Sequence, residues 1–238
     1  MPRFSTGRPQ SSGVSNVLTS VFFTDPNNGH IVGNSGIILR TTNGGSTWTN
    51  LTIGSTFFND VAFVGPNTGL AVGDGGVILK TTNGGGSWTA LPGLSGSLRS
   101  ISFINAATAT VVGSGGAIYR TTNGGSSWAT QVSGTANDLN DASFADVNTG
   151  TVAGDNGTIL RTTNGGSVWT LQTTGTGSSL FAVFFMSAAK GTAVGASGTI
   201  LRTTNGGTSW VSQSAGVNHI LNDVFFSGPN TGSVVGAG

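Results

Sequence analysis

Short apolar runs recur along the whole chain at a fixed interval, separated by clusters of Gly, Asn, Ser and Thr. Val21-Phe22-Phe23 opens one unit, and its last phenylalanine returns as Phe63, Phe103, Phe144, Phe185 and Phe226. After a turn at Asp25-Pro26-Asn27-Asn28-Gly29 comes a second run, His30-Ile31-Val32-Gly33, whose closing glycine returns as Gly73, Gly113, Gly154, Gly195 and Gly236. Asn34-Ser35-Gly36 turns the chain again, Ile37-Ile38-Leu39-Arg40-Thr41 is a third run, and a fourth carries Trp48. Runs of β-branched and aromatic residues bounded by Gly, Asn and Pro predict strands. No segment sustains a 3.6-residue period, which predicts almost no helix.

The five tryptophans, Trp48, Trp88, Trp128, Trp169 and Trp210, are spaced by 40, 40, 41 and 41 residues. Four short strands in a unit of about 40 residues describe the blade of a β-propeller. Connections this short join antiparallel neighbours, since parallel strands need long crossovers. One such sheet cannot cover both of its faces, but neighbours stacked in a ring can. The expected fold is therefore all-β, a propeller of four-stranded antiparallel blades in one domain, 1–238, with repeats starting near 20, 60, 100, 141, 182 and 223. The repeated Phe and Trp positions are expected to fill the gaps between blades. Full burial of Phe103 would make its replacement by Ala cost about 3–5 kcal/mol.

The first half of the unit occurs six times and the second half five times. Gln10-Ser11-Ser12-Gly13-Val14 resembles Gln213-Ser214-Ala215-Gly216-Val217, which follows the last tryptophan. That register places residues about 5–11 where the fourth strand of a sixth blade would lie, and makes 1–17 a closing strand and linker. Six blades, the last incomplete and closed by the N-terminal segment, is the favoured arrangement. The alternative is five full blades plus a half-blade exchanged with another subunit, in a dimer or filament.

The stretch Thr41-Thr42-Asn43-Gly44-Gly45-Ser46-Thr47-Trp48 resembles the Asp-box, or BNR repeat, whose pattern is Ser/Thr, any, Asp/Asn, any, Gly, any, Ser/Thr, Trp. Copies starting at Thr81, Thr121 and Thr203 satisfy it, while the copy at Thr162 has Val168 at the second hydroxyl position. Asn at a tight turn bonds its own backbone, and paired glycines supply positive φ. Asn43, Asn83, Asn123, Asn164 and Asn205, with the five tryptophans, are thus expected to be structural. A phosphate cradle fails because no Lys-Ser/Thr follows the glycines. Beyond the box, Asn59-Asp60-Val61-Ala62-Phe63, Asn67-Thr68-Gly69, Ala71-Val72-Gly73 and Ile78-Leu79-Lys80-Thr81-Thr82-Asn83-Gly84-Gly85 resemble the photosystem II stability/assembly factor propellers. That resemblance spans about residues 13–236 and implies a non-catalytic scaffold or binding propeller.

Composition narrows the function classes. Charged residues are 7% of the 238, against about 25% in typical globular proteins. No apolar run approaches the roughly 18 residues that span a bilayer, so no membrane insertion is expected. The net charge of +1 gives no electrostatic footprint for nucleic acid. With no cysteine, disulfides and thiolate metal sites are excluded. Met1-Pro2-Arg3-Phe4-Ser5 lacks the apolar core of a secretory signal. A surface of uncharged Thr, Ser, Asn and Gly points to an extracellular, cell-surface or virion setting.

The eight acids are all aspartates. A glycosidase needs two carboxylates flanking one bond, whereas these occupy symmetry-equivalent positions suited to capping turns, and no enzyme is expected. A sialidase is excluded in its usual form, having neither the Glu nor the suitably placed Tyr, since the only one, Tyr119, replaces a repeat Leu. Arg40, Lys80, Arg120, Arg161 and Arg202 share one position, read as apolar stems covering the blade with hydrated heads, or as stacking on a Trp, in preference to a basic ring for an acidic partner. At the start of the first strands the residues are Ser20, Asp60, Ser100, Asp141, Ala182 and Asp223. Acids on alternate blades would ring the channel, and Asp60, Asp141 and Asp223 are the candidate ligands for a calcium ion. The expected function is a scaffold that binds a protein or self-assembles. A glycan-binding propeller is the alternative. The linkers after each fourth strand vary most and do not repeat an aromatic-plus-Asn pattern, which favours a protein-facing surface. Phe57, Phe58, Leu98, Phe181 and His219 are the candidate contacts there.

Overall fold

The computed structural model describes residues 10–228 and 231–237. Blade 1 consists of β1 (Leu18–Phe23), β2 (Gly29–Gly33), β3 (Ile38–Thr41) and β4 (Thr49–Asn50). Blade 2 is β5 (Phe58–Phe63), β6 (Gly69–Gly73), β7 (Ile78–Thr81) and β8 (Thr89–Ala90). Blade 3 is β9 (Leu98–Phe103), β10 (Ala109–Gly113), β11 (Ile118–Thr121) and β12 (Ala129–Gln131). Blade 4 is β13 (Leu139–Phe144), β14 (Gly150–Gly154), β15 (Ile159–Thr162) and β16 (Thr170–Leu171). Blade 5 is β17 (Leu180–Phe185), β18 (Gly191–Gly195), β19 (Ile200–Thr203) and β20 (Val211–Gln213). Blade 6 has two strands, β21 (Leu221–Gly228) and β22 (Thr231–Gly236). All neighbours are antiparallel and follow chain order, and the described residues contain no α-helix.

The first strand of each blade is innermost and touches the first strands of its neighbours, from β1 to β21. Each starts two residues earlier than the sequence pattern suggests, because a β-bulge sits at its second residue. The pairing with the second strand skips one residue between Leu18 and Ser20, Phe58 and Asp60, Leu139 and Asp141, Leu180 and Ala182, and Leu221 and Asp223. Blade 3 skips Arg99 in the same way. Bulges re-aim a side chain and often mark functional rims.

Five apolar clusters hold the ring together, and each spans one junction. At the first, Val32 and Ile38 of blade 1 meet Phe58, Val61 and Phe63 of blade 2. The same positions recur as Val72 and Ile78 on Leu98 and Ile101, Val112 and Ile118 on Leu139 and Ala142, and Ala153 and Ile159 on Leu180, Val183 and Phe185. The fifth joins Val194 to Leu221 and Val224. A blade therefore lends its second-strand valine and third-strand isoleucine to the next one. Phe58 and Leu98, expected to contact a partner, are buried plugs of these junctions and have no surface to offer. Phe103 is half-buried, so its truncation will fall below the full-burial cost.

No cluster of described residues joins blade 6 to blade 1. Val21 is 60% exposed where its counterpart Val61 is 1%, and Val235 is 59% exposed where Val194 is 0%. The closing strand expected at about 5–11 falls mostly on residues 1–9, which lie outside the described residues, and Gln10 and Ser11 are not in a strand. Gln10 is nevertheless in fourth-strand register. Its Nε2 donates to the Gly44 carbonyl at 3.2 Å, as Gln131 of β12 donates to Gly165 at 3.0 Å. The Ser12 hydroxyl donates to the Val14 carbonyl at 3.1 Å, as Ser133 does to Thr135.

Candidate functional site

The site is the mouth of the central channel, where the first strands begin. Its hollow encloses about 360 Å³ and is lined by residues of all six blades, including the three candidate metal ligands Asp60, Asp141 and Asp223. The bulges place Thr19, Asn59, Arg99, Asn140, Phe181 and Asn222 at this rim. Three of them cap the neighbouring blade's first strand: Thr19 Oγ1 donates to the Phe58 carbonyl (2.7 Å), Asn59 Nδ2 to Leu98 (2.8 Å) and Asn140 Nδ2 to Leu180 (2.9 Å). Arg99 departs from the pattern, donating to the Asn140 and Asp138 side chains. Phe181 departs further, since its ring can make no such bond and stays half-exposed. Bulge residues leave no periodic mark in the sequence. The only trace of this ring was three asparagines one residue ahead of the alternating acids.

Two of the three inner aspartates bridge blades. Asp60 accepts from the Ser20 hydroxyl of blade 1 (2.7 Å), its neighbour's Val61 N–H (2.8 Å) and the Ile101 N–H of blade 3 (2.8 Å). Asp141 repeats this with Ser100 (2.7 Å), Ala142 N–H (2.8 Å) and Val183 N–H (2.8 Å). Asp223 keeps only the bond from Val224 N–H at 2.7 Å, because Ala182 has no hydroxyl. Enclosure between blades raises all three carboxyls above the usual carboxylate range, Asp141 to about 7. Among the described residues no three acids or histidines stand close enough together to hold one metal ion. The carboxylates of Asp60 and Asp141 are engaged in the bonds just described.

The repeated cations also work between blades. Arg40 Nε and Lys80 Nζ donate to the next blade's box carbonyls at Gly84 (2.8 Å) and Gly124 (2.6 Å). Arg120, Arg161 and Arg202 lie over the rings of Phe144, Phe185 and Phe226 at 5.1, 5.2 and 5.9 Å. They stack on the following blade's phenylalanine, not on tryptophan as the sequence suggested, because that ring is the apolar face the stem reaches. His30 is buried against Phe63 with its Nε2 3.1 Å from the Gly84 carbonyl, and burial lowers its pKa to about 4.

In each box the threonine hydroxyl receives the second glycine's N–H and donates to the asparagine oxygen, as Thr41 does with Gly45 (2.9 Å) and Asn43 (2.9 Å). Asn43 then binds both the backbone and the hydroxyl of Thr47, each at 2.9 Å. Gly44 and Gly45 have φ of 67° and 83°, the left-handed region the turn requires. Asn83, Asn123 and Asn205 repeat this network, while Asn164 keeps only the backbone bond because Val168 has no hydroxyl. Trp48, Trp169 and Trp210 meet the phenylalanine of their own first strand edge-on, as does Trp88. Trp128 packs beside Phe103 in the blade 2–3 cluster. A hollow of about 790 Å³ lies between the boxes of blades 4 and 5 around Val168.

The profile of the photosynthesis system II assembly factor YCF48 family matches residues 7–143 and 134–214. The chain belongs to this family. A solved structure described as YCF48 bound to D1 peptide is 22% identical, covers 93% of this chain and 91% of its own, and has a TM-score of 0.63. YCF48 from Cyanidioschyzon merolae is 22% identical, with 93% of each chain covered and a TM-score of 0.53. The GH74 enzyme of Niastella koreensis is 18% identical at a TM-score of 0.76, covering 92% of this chain but 44% of its own. These likenesses show the propeller fold. No curated protein sequence matches the chain.

Of the remaining candidate contacts, Phe57 and His219 are exposed and lie one and two residues ahead of the first strands of blades 2 and 6. Phe181 belongs to blade 5. All three stand on the face where the channel mouth opens.

Proposed function

We propose that this family member is a non-catalytic propeller that binds a protein partner on the channel-mouth face. The observation that carries the reading is how the repeated features are used. Boxes, cations and inner aspartates are engaged inside blades or between them, so the residues free to recognise anything are those that break the repeat. These include Phe181 among the bulges and Phe57 and His219 in the linkers. Asp60 and Asp141 spend their oxygens on blade junctions, which argues against a hydrolytic pair. The family's assembly-factor description, and a neighbour described with a bound peptide, support a protein ligand over a glycan.

Selection of binders from a random peptide library on the intact chain, run beside a glycan array, tests the reading. Peptides should be recovered whose affinity falls about tenfold or more in the Phe181→Ala, His219→Ala double variant, as expected for exposed aromatic anchors. Sugar-specific binding on the array, with no peptide recovered, would overturn it.

A further inference from the structure

The first glycine carbonyl of a box receives a side-chain donor from the blade before it. Arg40 Nε donates to Gly84, Lys80 Nζ to Gly124 and Gln131 Nε2 to Gly165. Between blades 3 and 4 the cation is spent elsewhere, Arg120 bonding the Thr110 hydroxyl and the Val147 carbonyl. The Gln131 carboxamide then serves two groups of blade 4 at once. Its Nε2 donates to the Gly165 carbonyl at 3.0 Å, and its Oε1 accepts from Trp169 Nε1 at 3.0 Å.

Between blades 4 and 5 Arg161 is spent in the same way, on the Thr151 hydroxyl and the Ala188 carbonyl. Gln172 holds the Gln131 position, yet its Nε2 donates to the Thr170 carbonyl of its own blade at 3.2 Å. Among the described residues no donor reaches the Gly206 carbonyl, and Trp210 Nε1 is buried without an acceptor. Trp88 and Trp128 also lack acceptors, but there Leu51 and Leu91 replace the glutamine and a cation covers the carbonyl. The place over the second glycine is open as well. A Cβ on Gly166 would fall 2.0 Å from Gln131 Oε1, whereas one on Gly207 would come no nearer than 3.3 Å to Trp210 Nε1 and 3.4 Å to Gln172 Oε1.

These groups border the hollow of about 790 Å³, which Gly206, Gln172 and Asn164 line. Asn164 brings a further free donor. The other box asparagines give Nδ2 to a hydroxyl, of Thr47, Ser87, Ser127 or Ser209, and blade 4 has Val168 there. An amide sets a donor and an acceptor side by side, which is what the Gly206 carbonyl and the Trp210 indole require. Leaving both unpaired is costly, so an incoming amide gains from pairing them. The hollow has no aromatic face in its lining for a sugar ring to stack on, while exposed Val168, Ala188 and Ala189 suit a peptide side chain.

We infer that the groove between the boxes of blades 4 and 5 binds an extended protein segment that presents a glutamine. Its carboxamide would take the place over Gly207 that Gln131 takes over Gly166, and its main chain would accept from Asn164 Nδ2. Gln172 is the built-in competitor, since turning its side chain would fill the same place. The boxes follow the third strands at the ends away from the channel mouth. Thr203 faces Gly191, and Gly191 faces Phe185 at the end of β17. This site is therefore separate from the linker aromatics of the proposed function, and either can stand without the other.

The probes are N-acetylglutamine N-methylamide, its leucine analogue with the same backbone, and N-acetylglucosamine. Each is titrated into the full chain while the indole N–H resonances of the five tryptophans are followed by NMR. The glutamine probe should shift the Trp210 resonance saturably at about millimolar concentration, as befits so small a ligand. The leucine analogue should leave it in place. Gln172→Ala, which removes the competitor, should tighten binding. Gln172→Leu, which installs the residue of blades 1 and 2, should abolish the shift. If that variant does not fold, Val168→Ser should weaken binding by engaging Asn164 Nδ2, as the serines of three other boxes do. The absence of a saturable shift, equal shifts with the glutamine and leucine probes, or a shift that survives Gln172→Leu would overturn the inference. So would tighter binding of N-acetylglucosamine, since an acetamido sugar would then be the ligand.

Discussion

The junction between blades 4 and 5 and the seam between blades 6 and 1 are built from the same repeat positions, yet they differ in almost every interaction. At the first, Ile159 is buried with Leu180 and Val183, Asp141 reaches the Val183 N–H, and Arg161 lies over Phe185. At the second, Val21 and Phe23 are exposed, and among the described residues β22 pairs with β21 alone. The contrast teaches that the stabilising unit is the junction and not the blade. Complete repeats place a second-strand valine or alanine, a third-strand isoleucine and a cation against the following repeat, and blades 2 and 4 add an aspartate, so the next blade's inner strand is covered by residues of the blade before it. Nearest-neighbour stability of this kind is general to stacked repeats.

The largest test of that contrast is truncation on either side of it. Phe58→Ala empties a fully buried position between blades 1 and 2 and should cost about 3–5 kcal/mol in chemical denaturation. Leu18→Ala, the same repeat position at the seam, should cost less than about 1 kcal/mol because Leu18 is already 37% exposed. Equal losses would mean that the seam is covered in solution.

Polar latches should follow the same order. Asp141→Ala strands the Ala142 and Val183 N–H groups and the Ser100 hydroxyl, and should destabilise by about 2–3 kcal/mol. Asp223→Ala loses one bond and should cost about 1 kcal/mol or less. The comparison is read from urea midpoints of the two variants at pH 7.

Protonation sharpens the same latch. The Asp141 pKa is raised to about 7, so the folded chain holds the proton more tightly than the unfolded chain, whose carboxyl titrates near 3.8. The stability this adds is complete below about pH 4 and is lost as pH rises through 7. His30, lowered from 6.5 to about 4 by burial, works in the other direction: its contribution is present above pH 6.5 and is lost as pH falls through 4. The two offset each other between pH 4 and 6.5. Melting curves from pH 4 to 8 should therefore separate them. His30→Leu, which installs the residue blade 2 carries at Leu70, should leave a fall in stability with rising pH. Asp141→Asn should make the fall with rising pH shallower, Asp60 and Asp223, also raised, keeping part of it. A profile unchanged by either substitution would remove these groups from the account.

Most of the fold was legible because the repeat is regular. The strand pattern, the box hydrogen bonds and the half-blade follow from residues at fixed spacing. What stayed hidden lies between repeats. Phe58 and Leu98 looked like linker surface because they directly follow variable segments, although their side chains turn inward as junction plugs. Coverage of the blade by the cation stems was legible, but the ring beneath them was offered as a tryptophan, because spacing along the chain does not reveal which ring of the following blade lies under each stem. Alternating Asp and Ser at the first strands suggested a metal ring, when their pairing across the junction (Ser20 to Asp60, Ser100 to Asp141) was the more informative pattern. The bulge at each first strand was hidden for a further reason: a skipped residue disturbs register without altering composition.

That alternation has one gap, and filling it gives the finest test. Ala182 stands where Ser20 and Ser100 donate to the next blade's aspartate, so Asp223 lacks a hydroxyl partner. Ala182 is buried and lines the hollow with Asp223. Ala182→Ser should add a bond of the kind seen at Asp60 and Asp141, stabilising the chain by about 0.5–1.5 kcal/mol. It should also bring down the Asp223 carboxyl, which burial now holds above the usual range, since a hydroxyl donor favours the ionised form. The gain should vanish in the Asp223→Ala background, and a double-mutant cycle measures that dependence directly. A gain that persists without Asp223 would reflect packing of the added oxygen. Loss of stability in both backgrounds would show that the blade 5–6 junction is too tight at Ala182 for the hydroxyl, and that the latch cannot be transplanted from the complete junctions.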